Sequence, residues 1–198
     1  ETHKGYWANG RAYATSLLKA WWGDAATKDN DFAFDYLPRI NGAHGTYQTA
    51  VRMLNDGVDG YFLLGQNPAV GSANGRMQRM AMSHLKWMVV RDFSLIESAT
   101  WWKDGPEIET GELKTEDIDT EMFFLPAANH TEKAGTFTQT QRLVQWRHKA
   151  VNPPGDAQSE LDFFYELGQA VREKLKDSDD PRDRPLLDMT WDYPVDEE

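Results

Sequence analysis

Gly60-Tyr61-Phe62-Leu63-Leu64-Gly65-Gln66-Asn67-Pro68 is the stretch that decides the fold. Gly60 to Leu64 is a short apolar run, the pattern of a buried strand, and Gly65 to Pro68 is a turn. Gly75 to Leu85 then reads as a helix with Met77, Met80, Ala81 and Leu85 on one side, and Lys86 to Val90 is a second apolar run. Strand, turn, helix, strand is the order of a βαβ unit, because two parallel strands need a crossover between them. Such crossovers are right-handed. The predicted fold class is therefore α/β, a Rossmann-like parallel sheet flanked by helices. In doubly wound sheets the loops at the carboxyl ends of the strands face the ligand, so Gly65-Gln66-Asn67 is the first place to look for a site.

Working outward, Arg11 to Trp22 is an amphipathic helix carrying Tyr13, Leu17, Leu18, Trp21 and Trp22, with Gly23 as its stop. Phe32, Phe34, Tyr36 and Leu37 form an aromatic stretch that ends at Pro38. A second helix runs through Tyr47, Val51, Met53 and Leu54 towards Gly57. Glu121 to Leu125 is a third apolar run closed by Pro126, Thr136 to Gln141 is polar and β-prone, and Gln158 to Leu175 is a helix. Leu186 to Val195 is predicted extended, packing through Trp191 and Tyr193. Lys103 to Asp119 is acidic and pattern-free and reads as a surface insertion. The length suits a single α/β segment over residues 1–198.

A net charge of −11 argues against nucleic acid and anionic membranes as partners. No cysteine is present, so no disulfide, thiolate nucleophile, zinc–thiolate site or iron–sulfur cluster can be built from these residues. No apolar run has the roughly 18 residues that a membrane helix needs. The first residue is Glu1 and no signal peptide follows, so the chain reads as part of something longer or processed.

Five histidines occur, at positions 3, 44, 84, 130 and 148, none in a His-x-x-x-His pair. His130-Thr131-Glu132 resembles half of a deaminase motif, but the Pro-Cys-x-x-Cys half is missing. No Gly-x-Ser-x-Gly elbow is present. The acidic pairs Glu107/Glu109 and Asp117/Asp119 fall in the charged insertion and read as solvating groups. The eight tryptophans could line a sugar groove, but Trp21, Trp22, Trp101 and Trp102 stand in apolar neighbourhoods, which favours packing.

The nucleotide reading is stronger. Gly65 lets the chain approach a ligand closely, Gln66 and Asn67 add amide donors and acceptors, and backbone N–H groups at a following helix start can hold an anion. Arg91-Asp92 ends the next strand, where an acidic residue accepts hydrogen bonds from ribose or a base. Glu132-Lys133-Ala134-Gly135-Thr136 is a third polar loop. Two such turns at adjacent strand ends would face one crevice.

These residues resemble the catalytic subunit of molybdopterin oxidoreductases, in particular respiratory formate dehydrogenases. The resemblance runs from Tyr6-Trp7-Ala8-Asn9 to Met189-Thr190-Trp191-Asp192-Tyr193. It takes in Phe62 to Pro68, Val89-Val90-Arg91-Asp92 with Glu97-Ser98-Ala99, Leu125-Pro126-Ala127-Ala128, Glu132 to Thr136, Gln145-Trp146 and Pro153-Pro154-Gly155. Departures are Gln139, Gln141 and a single Arg142 where the family often has Asn and Glu-Arg-Arg, and the Lys103 to Asp119 insertion before Glu121 to Pro126. The latter favours the membrane-associated respiratory subgroup.

The resemblance implies a full subunit that binds molybdenum or tungsten through two pterin guanine dinucleotides, carries an iron–sulfur cluster elsewhere, and oxidises formate to carbon dioxide. It implies as partners the remainder of the catalytic subunit, an iron–sulfur subunit and a membrane cytochrome subunit, in a bacterial, membrane-associated respiratory complex on the periplasmic side, with no membrane insertion by this chain. It makes Gly65, Gln66, Asn67, Arg91, Asp92, Lys133 and Glu160 the cofactor contacts and leaves the catalytic and metal-ligating residues outside this chain. Two rival readings are a free-standing nucleotide-binding module and a non-catalytic structural or interaction domain. The resemblance predicts that the chain, purified alone and given formate and a redox dye, shows no turnover; measurable dye reduction would contradict it.

Overall fold

The computed structural model describes residues 6–39 and 42–191. They form two compact units, residues 41–160 and residues 1–40 with 161–198.

The unit of residues 41–160 contains the sheet. Its elements are α2 (Thr46–Leu54), β1 (Gly60–Leu64), α3 (Pro68–Gly71), α4 (Gly75–Met82), β2 (Trp87–Asp92), α5 (Glu97–Asp104), α6 (Pro106–Glu109), β3 (Glu121–Pro126), β4 (Gly135–Thr138) and β5 (Val144–Arg147). β1, β2 and β3 form a parallel sheet with β2 in the middle. The expected βαβ order is therefore present, and the third apolar run joins the same sheet. β4 and β5 form a separate antiparallel hairpin.

The period-2 alternation of strands sends Tyr61, Leu63, Met88, Val90, Met122 and Phe124 to one face. That face packs on Ala50 and Met53 of α2, Ala81 and Met82 of α4, Leu85, and Ala99 and Trp101 of α5. Met88 and Val90 are fully buried, so β2 is the spine of this core. The opposite face carries Phe62 and Leu64 of β1 and Phe123 and Leu125 of β3, which stay 36–43% exposed. Gly60 has a steric role there: a Cβ would lie 2.0 Å from the Trp87 ring, which crosses over β1 to meet Phe62 edge-on at 5.3 Å.

The segment Lys103 to Asp119 is not the solvated loop its composition suggested. It contains α6, and its Leu113 and Ile118 pack against the core. Glu107 is 4% exposed, and its two carboxylate oxygens accept from Arg79 Nε and Nη2 at 2.6 and 2.8 Å. Arg79 also donates to the Ala69 carbonyl at 2.5 Å, so one guanidinium ties α3, α4 and α6 together. The Arg79 hydrogen bond holds the Glu107 carboxyl below its usual range, against the pull of burial.

In the other unit, α1 (Tyr6–Trp22) and a 3-10 segment (Lys28–Tyr36) enclose Leu18, Trp22, Ala26 and Ala33. α7 (Glu160–Leu175) and α8 (Arg184–Leu187) complete it. Trp22 Nε1 donates to the Pro185 carbonyl at 2.7 Å, and Tyr36 donates to Asp188 at 2.7 Å. The expected extended stretch from Leu186 is instead helical at its start, because Pro185 opens a turn of helix. Trp191 does pack, edge-on to Tyr165 at 6.1 Å. Tyr193 lies outside the described residues. Of the four tryptophans expected in the core, Trp22 and Trp101 are buried, Trp102 packs half-buried against the core, and Trp21 is 37% exposed.

Removing one partner of a buried ion pair leaves a charge without compensation, at a cost of about 3–5 kcal/mol. Glu107→Ala is expected to destabilise the chain on that scale, and Arg79→Met with Glu107→Leu to recover most of the loss. Urea unfolding of the three proteins measures both.

Candidate functional site: the carboxyl edge of the parallel sheet

Because the strands run parallel, all three release their chains at one edge, and the hydrogen bonds show how closely. Gly65 N–H donates to the Arg91 carbonyl at 3.0 Å, and Ala127 N–H donates to the Asp92 carbonyl at 3.1 Å. The exits of β1, β2 and β3 are thus adjacent, in that order. Gly65 adopts φ +61, which favours glycine, and a Cβ there would meet nothing within 4 Å. Its requirement is conformational, and the backbone at the turn is open to approach. Gln66 is exposed beside it.

Asn67 is differently employed. Its Oδ1 accepts from the Ser98 backbone N–H at 3.1 Å and from the Ser98 hydroxyl at 2.7 Å, and its Nδ2 donates to Glu97 at 2.6 Å. Ser98 Oγ in turn accepts from Ala69 N–H at 3.1 Å. Asn67 and Ser98 therefore clamp the β1 exit to the start of α5. Ser98 is fully buried and was not among the predicted site residues; the Glu97-Ser98-Ala99 box was its only trace in the sequence. A hydrogen bond from its own backbone, and then the one from Asn67, hold the Glu97 carboxyl below its usual range.

Arg91 is 2% exposed. Its Nη2 donates to the Gln158 carbonyl at 2.8 Å, and Gln158 pairs with Ala127 in a parallel bridge and accepts from Ala128 N–H at 2.7 Å. Arg91 thus secures the chain beyond β3 from inside. Burial lowers its pKa, and the nearby Glu160 carboxylate opposes that shift. Asp92, half-buried at the end of β2, accepts from Phe93 N–H through Oδ1 at 2.7 Å.

Lys133 and Glu160 form a direct ion pair. Burial raises the Glu160 pKa, but the hydrogen bond from Lys133, its own backbone and the charges of Lys133 and Arg91 prevail and lower it. Glu132 caps the loop before it, accepting from Asn129 N–H at 2.8 Å. Apart from Asn67, which is spent on the clamp to Glu97 and Ser98, the predicted residues therefore fall into two groups. Gly65, Gln66 and Asp92 line the adjacent strand exits. Arg91, Glu160 and Lys133 form a chain of charges reaching outward from β2. No group of His, Cys, Asp or Glu suited to a metal ion occurs among the described residues, and no described helix is long and apolar enough to cross a membrane.

The molybdopterin oxidoreductase family model matches residues 123–170, from β3 into α7. The chain is 36% identical over 188 residues to formate dehydrogenase 2 subunit alpha (cytochrome c-553) of Nitratidesulfovibrio vulgaris, covering 94% of this chain and 18% of that protein. It is 30% identical to the nitrate-inducible formate dehydrogenase major subunit of Escherichia coli, covering 95% of this chain and 18% of that protein. It is 31% identical to formate dehydrogenase subunit alpha of Megalodesulfovibrio gigas, with the same shares. Residues 123–170 are thus similar to molybdopterin oxidoreductases, and nearly the whole chain is similar to a stretch of formate dehydrogenase alpha or major subunits. These three relatives are alpha or major subunits of bacterial formate dehydrogenases, and the chain spans about a fifth of their length.

Glu160 tests the charge chain. A depressed carboxyl stabilises the fold at pH above its unfolded value, and that contribution is lost as pH falls through the folded value. Lys133→Met removes the strongest influence holding it down, so Glu160 is expected to titrate higher than in the wild type and the stabilisation to be lost at a higher pH. Side-chain carboxyl NMR across an acid titration reads the shift directly.

Proposed function

We propose that this chain forms one wall of the cofactor site in the catalytic subunit of a formate dehydrogenase, oxidising formate to carbon dioxide. The observation that carries the reading is the convergence of the Gly65 turn, Asp92 and Ala127 at one sheet edge, in a chain homologous over 94% of its length to formate dehydrogenase alpha subunits. The site suits part of a pterin guanine dinucleotide. The open backbone at Gly65 admits a ligand closely, the exposed Gln66 amide can donate and accept, and Asp92 can accept from a sugar hydroxyl or a base. The bound cofactor, with its molybdenum or tungsten, supplies the redox chemistry; this chain's part is binding and orientation. Its residues divide accordingly. Gly65, Gln66, Asp92 and Lys133 face the ligand, while Asn67, Arg91 and Glu160 hold those residues in place.

The exposed apolar face of Phe62, Leu64, Phe123 and Leu125 supports a chain that works inside a larger subunit, since purely parallel sheets occur with both faces covered. We assign that cover to the remainder of the catalytic subunit. The iron–sulfur cluster belongs elsewhere in it, as this chain has no cysteine. The iron–sulfur and membrane cytochrome partners, and a membrane-associated periplasmic setting, follow from the same reading.

In a full catalytic subunit containing this stretch, Gln66→Ala with Asp92→Ala is expected to lower pterin content several-fold while leaving the fold intact. Pterin released from the purified protein and quantified by fluorescence, alongside circular dichroism, measures this. Wild-type pterin content in the double variant would overturn the assignment of this edge.

A further inference from the structure

Residues 133–155 differ in charge from the rest of the chain. They contain Lys133, Arg142, Arg147 and Lys149 and no Asp or Glu, a net charge of +4, so the remaining residues carry −15 of the total of −11. This stretch is the β4–β5 hairpin and its flanks, and residues 136–152 are exposed throughout. The arginines elsewhere in this acidic chain tend to meet carboxylates, as Arg76 does Glu112, Arg79 does Glu107, and Arg182 does Asp180. Arg147 instead lies over the Phe137 ring, 5.7 Å from its centroid, with no carboxylate partner among the described residues.

A cavity of about 430 Å³ opens at this point, lined by His130, Thr131, Phe137, Arg147, His148 and Ala150. Its lining has no acidic residue. His130 meets Phe137 edge-on at 6.1 Å, so an imidazole and a guanidinium share one phenyl ring as a platform. On the other side, Trp146 Nε1 donates to His148 Nδ1 at 3.3 Å. That bond makes Nδ1 the acceptor and leaves Nε2 as the N–H donor of a neutral ring. The base of the cavity is fixed, because the Thr131 carbonyl accepts from Ala150 N–H at 2.9 Å and from Val151 N–H at 3.3 Å. The strand exit and the end of the hairpin are thereby closed into one loop.

We infer that this cavity is a binding site for a phosphate group. An unneutralised guanidinium presents a fork of donors that matches phosphate oxygens. Two imidazoles and the Thr131 hydroxyl add donors around it, and the hairpin cations Arg142, Arg147 and Lys149, with no acid between positions 136 and 152, favour a dianion within a screening length. The volume exceeds what one phosphate fills and lies in the range of small-molecule sites, so both inorganic phosphate and the phosphate end of a nucleotide fit the chemistry. The cavity lining lies between positions 130 and 150 and includes none of the residues assigned to the cofactor wall, so the two readings rest on different side chains.

The test is a titration of the 198-residue chain with inorganic phosphate, guanosine monophosphate and, as the uncharged control, guanosine, followed by the ring resonances of His130 and His148 and by Trp146 fluorescence. Saturable shifts with phosphate and with the nucleotide are expected, and none with guanosine. Tighter binding of the nucleotide would assign the source as a nucleotide; equal binding would assign free phosphate. Arg147→Gln is expected to weaken binding about tenfold or more, the scale of one charge-assisted hydrogen bond, while Arg182→Gln leaves it unchanged. Circular dichroism confirms that both variants are folded. Unmoved histidine resonances in the wild type, or equal losses in the two variants, would overturn the site. A failure of Gln66 and Asp92 to affect pterin content would leave this result untouched, so the two readings fail separately.

Discussion

β2 is bonded on both sides, and its last two carbonyls are the points where its neighbours leave the sheet. Gly65 ends its ladder on Arg91, and Ala127 ends its ladder on Asp92. A parallel ladder permits no other arrangement: strands that run the same way and share a register must release their loops at the same edge. The register Leu64↔Arg91↔Leu125 therefore places three sequence-distant loops side by side before any side chain is considered. The candidate site exists because of that backbone constraint, and the core of Met88 and Val90 behind β2 supplies the burial that enforces it.

Around this edge the charged and amide side chains divide their work. Arg91 and Asn67 have the chemistry of ligand-binding groups, yet both are spent inward, one on the Gln158 carbonyl and the other on Ser98 and Glu97. A buried guanidinium must find acceptors, since leaving it unpaired costs several kcal/mol, and the chain folding back past Ala127 supplies them. Residues further out, at Gln66 and Lys133, keep their exposure or their access to an ion partner. Side chains spent on the fold and side chains left open are thus separated by depth at this edge.

The acidic surface overall and the basic hairpin within it create opposed fields on one small unit. The negative majority opposes the approach of phosphate-bearing ligands at long range. Salt screens that opposition beyond about 8–10 Å, whereas the hairpin acts at contact distance. Local positive charge without local acid is a condition under which an anion could still bind this chain.

Much of the fold was legible in the residues. Gly60 to Leu64 and Glu121 to Leu125 could be seen as strands because they are short apolar runs bounded by Gly or Pro, and the helix of Gly75 to Met82 showed its apolar side. The strand ends, and so Gln66 and Asp92 as neighbours, followed from the βαβ order. Other features did not show, because they are made by contacts between positions far apart in sequence. Glu107 looked like one of many solvated acids until Arg79, 28 residues away, came to lie against it. Ser98 looked ordinary until Asn67 arrived 31 residues earlier in the chain to share its hydroxyl. Arg147 carried no signal in the sequence; the hairpin sets it over Phe137, with no carboxylate partner among the described residues. Local pattern determined which segments are strands and helices, since periodicity is a property of neighbours. The tertiary structure alone decided which charges are buried, paired or left open, since burial and pairing depend on what the rest of the chain brings alongside.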